Sequence, residues 1–82
     1  LAALAYEDAA RFFEIAVDTL PLAMPAAADI ELELLLALGD AYVRSGDTPR
    51  ARAAFERAVA SARRTGNAAG IARAAIGFGG LG

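Results

Sequence analysis

Eighty-two residues allow one domain with a thin core, because small chains bury a smaller share of their surface than large ones. The absence of cysteine, histidine and lysine excludes disulfides, zinc–thiolate sites, thiol catalysis and the P-loop lysine, so no catalytic residue, cofactor or metal is expected. A net charge of −2 gives no general attraction to nucleic acid, and the longest uncharged run, Thr19 to Ala28, has ten residues and two prolines against the roughly 20 apolar residues of a membrane span.

Alanine fills 23 positions and aromatics only 7% of the chain, so the mean hydropathy of +0.42 reflects helix-forming, closely packing residues rather than bulk. Leu1, Leu4, Ala5, Ala9, Phe12, Phe13, Ala16, Val17 and Leu20 follow helical spacing and predict a first helix over residues 1–20. Pro21 and Pro25 bracket the break after it, and Ala26 to Ala28 read as a linker. The second helix is expected to start near Asp29 as N-cap, with Glu31 and Glu33 in its first turns, where carboxylates suit the helix dipole. Its apolar Ile30, Leu32, Leu34, Leu35, Leu36 and Leu38 point almost all the way round, which predicts cover on more than one side. Gly46 ends it in the position that tolerates a left-handed conformation. The third helix opens at Asp47-Thr48-Pro49, with Thr48 as cap and Pro49 at the first helical position, and runs to about Thr65 before Gly66-Asn67. A fourth stretch, Ala68 to about Ile76, gives way to the glycines between Gly77 and Gly82. No segment alternates with the period of a strand, so an all-α fold of about four helices is expected.

A shift of 42 residues aligns Ala9, Phe13, Glu14, Ala16 and Val17 with Ala51, Phe55, Glu56, Ala58 and Val59. Small alanines one turn either side of a phenylalanine let a neighbouring helix approach while the ring fills the gap. The stretch Leu35-x-x-Leu38-Gly39-x-x-Tyr42, followed by Ala51-x-x-x-Phe55, resembles the tetratricopeptide pattern, with Leu35 in place of its tryptophan. Ala58 completes the face. Arg63 stands where the closing proline belongs, Pro21 occupies that place in the earlier copy, and Gly80 stands where a third copy would carry an aromatic. The repeat steps, 42 residues and 38 from Gly39 to Gly77, exceed the family's about 34. The resemblance implies antiparallel helix-turn-helix hairpins stacked as an α-α superhelix: residues 1–20 from a preceding repeat, 29–65 a complete hairpin, and 68–82 the start of another. The segments Ala5 to Glu14, Glu33 to Ala41 and Ile71 to Gly80 also resemble the helical-repeat region of large actinobacterial LuxR-type regulators, which links a nucleotide-binding ATPase to a DNA-binding helix-turn-helix. That resemblance implies a fragment of a cytoplasmic signal-response protein, with neither flanking module inside these residues.

Other constellations read more plainly. Gly77-x-Gly79-x-x-Gly82 has the letters of a dinucleotide fingerprint, but a helical pattern precedes it, so a helix end or inter-repeat turn is expected. Arg50, Arg57 and Arg64, with Arg52 and Arg63 nearby, form a solvated face, and Arg52 can pair with Glu56 one turn on. Asp29, Glu31 and Glu33 are read as helix capping. Glu33, Leu36, Asp40, Val43 and Arg44 share the concave side of such a hairpin and form the candidate partner groove, a mixed apolar and charged surface. The expected function is a non-catalytic protein-protein interaction or spacer segment of a regulator, contacting its own neighbouring domains or a partner protein, with no direct nucleic-acid or membrane contact. The alternative is a free-standing adaptor binding a peptide or small effector in that groove. Self-association, or exchange of a helix, is expected to cover the leucine-rich face.

Overall fold

The computed structural model describes residues 2–24 and 26–81, with side chains from residue 5 onward. Leu1, Pro25, Gly82 and the side chain of Leu4, which entered the readings above, lie outside the described residues. Four helices follow in order: α1 (Ala2–Ala23), α2 (Ala28–Arg44), α3 (Thr48–Arg64) and α4 (Ala68–Gly79). The chain is all-α, built of antiparallel helix pairs that stack. Helix α2 packs against all three others, α3 against α2 and α4, and among the described residues α1 packs only against α2. A Cα envelope 15 Å deep accommodates two layers of helices at the usual separation of about 8–10 Å. Helices α2 and α4 adjoin in one layer, while α1 and α3 lie in the other, their backbones not meeting among the described residues.

The two turns flanking α3 are the same device used twice. Ser45-Gly46-Asp47 and Thr65-Gly66-Asn67 each place glycine at positive φ, 83° and 67°. In each, the residue after the glycine donates its N–H to the carbonyl five positions back, Asp47 to Tyr42 at 2.8 Å and Asn67 to Ala62 at 2.8 Å. This closes the preceding helix by satisfying its last carbonyls. The same Asp47 and Asn67 then cap the next helix, accepting from Arg50 N–H at 3.2 Å and Gly70 N–H at 2.8 Å. The cap of α3 is therefore Asp47, one residue before the Thr48 expected, because Asp47 lies outside the helix with its side-chain oxygen on the N–H of the third helical residue, Arg50.

Three other boundaries differ from expectation. Pro21 lies inside α1, which continues to Ala23. Proline removes one hydrogen bond, to Val17, and so near a helix end the remaining turn survives; Met24 N–H still reaches the Leu20 carbonyl at 2.7 Å. Helix α2 begins at Ala28 after Ala27, with no side-chain cap, so Asp29 falls in the first turn. Helix α4 runs through Gly77 to Gly79 instead of dissolving at Ile76. An interior glycine such as Gly77 weakens a helix by about 1 kcal/mol relative to alanine, and here the close approach of Phe55 needs the space it leaves.

The packing is specific. A Cβ built on Gly39 of α2 would lie 2.6 Å from Cε1 of Phe55, and one on Gly77 of α4 only 2.5 Å from the same atom. Phe55 of α3, 5% exposed, is thus clasped by two helices at one ring edge, and Phe78 packs beside it with centroids 6.4 Å apart. The 38-residue step between Gly39 and Gly77 is therefore also a step in space, with α2 and α4 parallel. Ala51, Ala58, Leu35, Leu38 and Tyr42 are buried around this contact as their spacing predicts. The earlier copy is looser: Ala9, Phe13 and Ala16 are half-buried, and α1 contributes Ala10 and Val17 to the core.

Candidate interaction surfaces

The stripe proposed from sequence lies on one side of α2, and its charges are already engaged within the chain. Glu33 accepts a forked bond from Arg73 of α4, one arm at 3.1 Å from Nη2, which holds the Glu33 carboxyl below the usual carboxylate range and raises the guanidinium. Arg44 Nε donates to Asp40 at 2.9 Å, and its guanidinium lies 5.4 Å from the Tyr6 ring centroid on α1. Leu36 is half-buried against the core, while Val43 is 40% exposed. The stripe therefore spans the layer from the α4 contact to the α1 contact, with Leu36 and Val43 between paired charges.

The acidic run at the start of α2 puts Asp29 and Glu31 in the first turn, as expected, although Asp29 is not the N-cap. Glu31 accepts from Arg64 Nη2 at 3.0 Å, so Glu31 and Glu33 tie α2 to α3 and α4. Asp8 pairs with Arg11 one turn on. Arg52 and Glu56 are exposed and form no ion pair with each other. Gly77 and Gly79 sit within α4, and Gly82 lies outside the described residues, so the glycine pattern forms no phosphate-cradling loop there. Among the described residues no helix is long and apolar enough to cross a membrane.

A second surface was not anticipated. Because the backbones of α1 and α3 stand apart, a cleft of about 420 Å³ opens between them and continues into one of about 190 Å³. The α1 wall carries Glu7, Arg11, Glu14 and Asp18, the α3 wall Arg50 and Arg57, and α2 supplies the floor through Leu38 and Tyr42. Burial raises the Tyr42 phenol to about 12, helped by the neighbouring Glu14 carboxylate and opposed by Arg50. These residues come from three helices, so no local spacing marks them as neighbours.

The exposed apolar side chains are unevenly placed. Phe12, Ile15 and Leu22 of α1 are 67%, 67% and 85% exposed, and Ile76 of α4 is 76% exposed. Met24 and Ile30 flank a shallow apolar hollow at the α1–α2 connection. No family model, curated protein or solved structure matches the chain.

Proposed function

We propose that this chain is a non-catalytic, tetratricopeptide-like segment that acts as a spacer or protein-binding element of a large cytoplasmic transcriptional regulator of the LuxR type. One observation supports the reading: Gly39 of α2 and Gly77 of α4, one repeat step apart in sequence, both close on the same edge of Phe55. A unit that repeats by translation can be stacked, and a stack carries the orientation of whatever is attached at its ends. The partner on this reading is protein, either the regulator's own neighbouring domains or a separate chain. Its contact is the α2 stripe, where Leu36 and Val43 offer apolar area beside Glu33, Asp40 and Arg44.

The test is the intact mass of the native gene product together with the sequence flanking residues 1 and 82. A product several times larger, with a P-loop module upstream and a helix-turn-helix downstream, supports the regulator. A product of about 8.4 kDa sinks that reading and leaves an adaptor binding a peptide or small effector. For that adaptor, Leu36→Glu or Val43→Glu must abolish ligand binding while helix content is unchanged.

A further inference from the structure

Elsewhere in this molecule opposite charges on neighbouring helices meet, Glu31 with Arg64 at 3.0 Å and Glu33 with Arg73. In the cleft between α1 and α3 they face one another across open space. Glu7 and Glu14 on α1, like Arg50 and Arg57 on α3, stand two helical turns apart, about 10 Å along their helices. Among the described residues Glu7, Glu14, Asp18 and Arg57 enter no ion pair, although Glu14 is half-buried. The other two cations are engaged, Arg11 with Asp8 and Arg50 with Asp47 at 3.5 Å. Three unpaired carboxylates therefore stand opposite one unpaired guanidinium and one shared guanidinium. The floor between the walls is buried: Leu38 and Ala54 lie beside Tyr42, whose phenol feels the charges of Glu14, Asp47 and Arg50. Walls and floor all belong to α1, α2, α3 and the α2–α3 turn, with no contribution from either chain end.

We propose that this cleft binds a basic amino acid, its cationic groups on the α1 carboxylates, its carboxylate on Arg57 and Arg50, and its aliphatic stem over Leu38 and Tyr42. The charge inventory selects the class. A ligand of one sign satisfies one wall and is repelled by the other. A zwitterion with one charge of each sign leaves carboxylates in surplus, whereas two cations and one carboxylate suit three acids facing one free guanidinium. Guanidinium–carboxylate bonds are charge-assisted and directional, so they fix the ligand's orientation. The apolar floor suits a methylene stem, which packs on such surface while its charged end stays among carboxylates. A space of about 420 Å³ falls within the range of small-molecule sites. Leu38 and Tyr42 lie on the face of α2 opposite Leu36 and Val43, so this site is separate from the α2 stripe and independent of the partner reading.

Titration of the whole chain with L-lysine, and separately with L-arginine, tests it by calorimetry and amide NMR shifts at low ionic strength, where exposed charges are least screened. Saturable one-to-one binding is expected for at least one of them, with Kd of about 1 mM or tighter and the shifts centred on Glu14, Tyr42 and Arg57. Three analogues of lysine each lack one charge: cadaverine the carboxylate, norleucine the side-chain cation, and Nα-acetyl-L-lysine the α-ammonium. Each should bind about tenfold more weakly or worse. Glu14→Gln and Arg57→Gln should each weaken binding by about tenfold or more with helix content unchanged. Should Glu14→Gln lower helix content, Asp18→Asn reads the same wall. No saturable binding of either amino acid, an analogue that binds as tightly as lysine, or an Arg57→Gln variant that binds like the parent overturns the proposal.

Discussion

Replacing Gly39 by alanine sets two calculable effects against each other. Intrinsic helix propensity favours alanine by about 1 kcal/mol in a helix interior. Against this, the new methyl would lie 2.6, 2.7 and 3.0 Å from three atoms of the Phe55 ring. The ring has no easy retreat, since the Gly77 backbone closes on the same edge, with a Cβ there only 2.5 Å away. Overpacking of this kind costs about 1–3 kcal/mol, and contacts this short on a clasped ring belong to the upper part of that range. The expected net result is a loss of about 1–2 kcal/mol, despite the more helix-favouring residue. For a domain of this size that lowers Tm by about 4–8 °C per kcal/mol, readable by circular dichroism at the helix band. Phe55→Leu removes the offending ring edge, so in that background Gly39→Ala should become neutral or stabilising, a coupling of about 1 kcal/mol or more. A Gly39→Ala protein that gains about 1 kcal/mol, by the same amount with Phe55 or Leu at position 55, would refute the clasp.

Three further expectations follow from other sites. Ser61 is 1% exposed and its hydroxyl has no hydrogen-bond partner, so Ser61→Ala should stabilise by about 1 kcal/mol in urea unfolding; destabilisation would mean that the hydroxyl is satisfied. Asp47→Ala and Asn67→Ala each remove a cap that accepts from the N–H of the third residue of its helix, and each should cost about 0.5–2 kcal/mol, whereas Thr48→Ala should cost less than either. The Tyr42 phenol, raised from 10.0 to about 12 by burial, binds its proton more tightly in the folded state than in the unfolded one. Its contribution to stability is full below about pH 10 and is lost as the pH rises towards about 12. Phenolate absorbance of Tyr6→Phe reads that titration directly, and a midpoint near the ordinary tyrosine value would contradict the buried placement.

Much of this architecture is local and therefore legible along the chain. The helical class follows from abundant alanine and from apolar spacing that never alternates. The turns at Gly46 and Gly66 follow from their position after helical runs, since glycine alone takes positive φ without steric cost. Even the twin role of Asp47 and Asn67 was written in the matching Ser-Gly-Asp and Thr-Gly-Asn triplets, a signal that reading each turn separately passes over. The periodic face Ala51, Ala54, Phe55, Ala58, Ser61 and Ala62 is likewise one stripe of a helix, although only three of its members belong to the repeat pattern.

What the chain order could not decide is where each helix finds its neighbour. Pro21 and Gly77 are helix breakers by intrinsic preference, yet both lie inside helices. At Pro21 a single lost hydrogen bond near the end is tolerable; at Gly77 the Phe55 ring from α3 needs the space that a side chain would fill. Glu31 and Glu33 carry the local signature of a helix start, which Glu31 keeps in the first turn of α2, and they are also held by Arg64 and Arg73, 33 and 40 residues away in sequence. The cleft beside Tyr42 exists because α1 and α3 stand apart on α2. Sequence by itself determined which segments become helices and where they turn, because those are contests among bonds a few residues apart. Tertiary structure decided which faces are covered and which charges are spent, because burial and close approach depend on atoms that only the packed chain brings together.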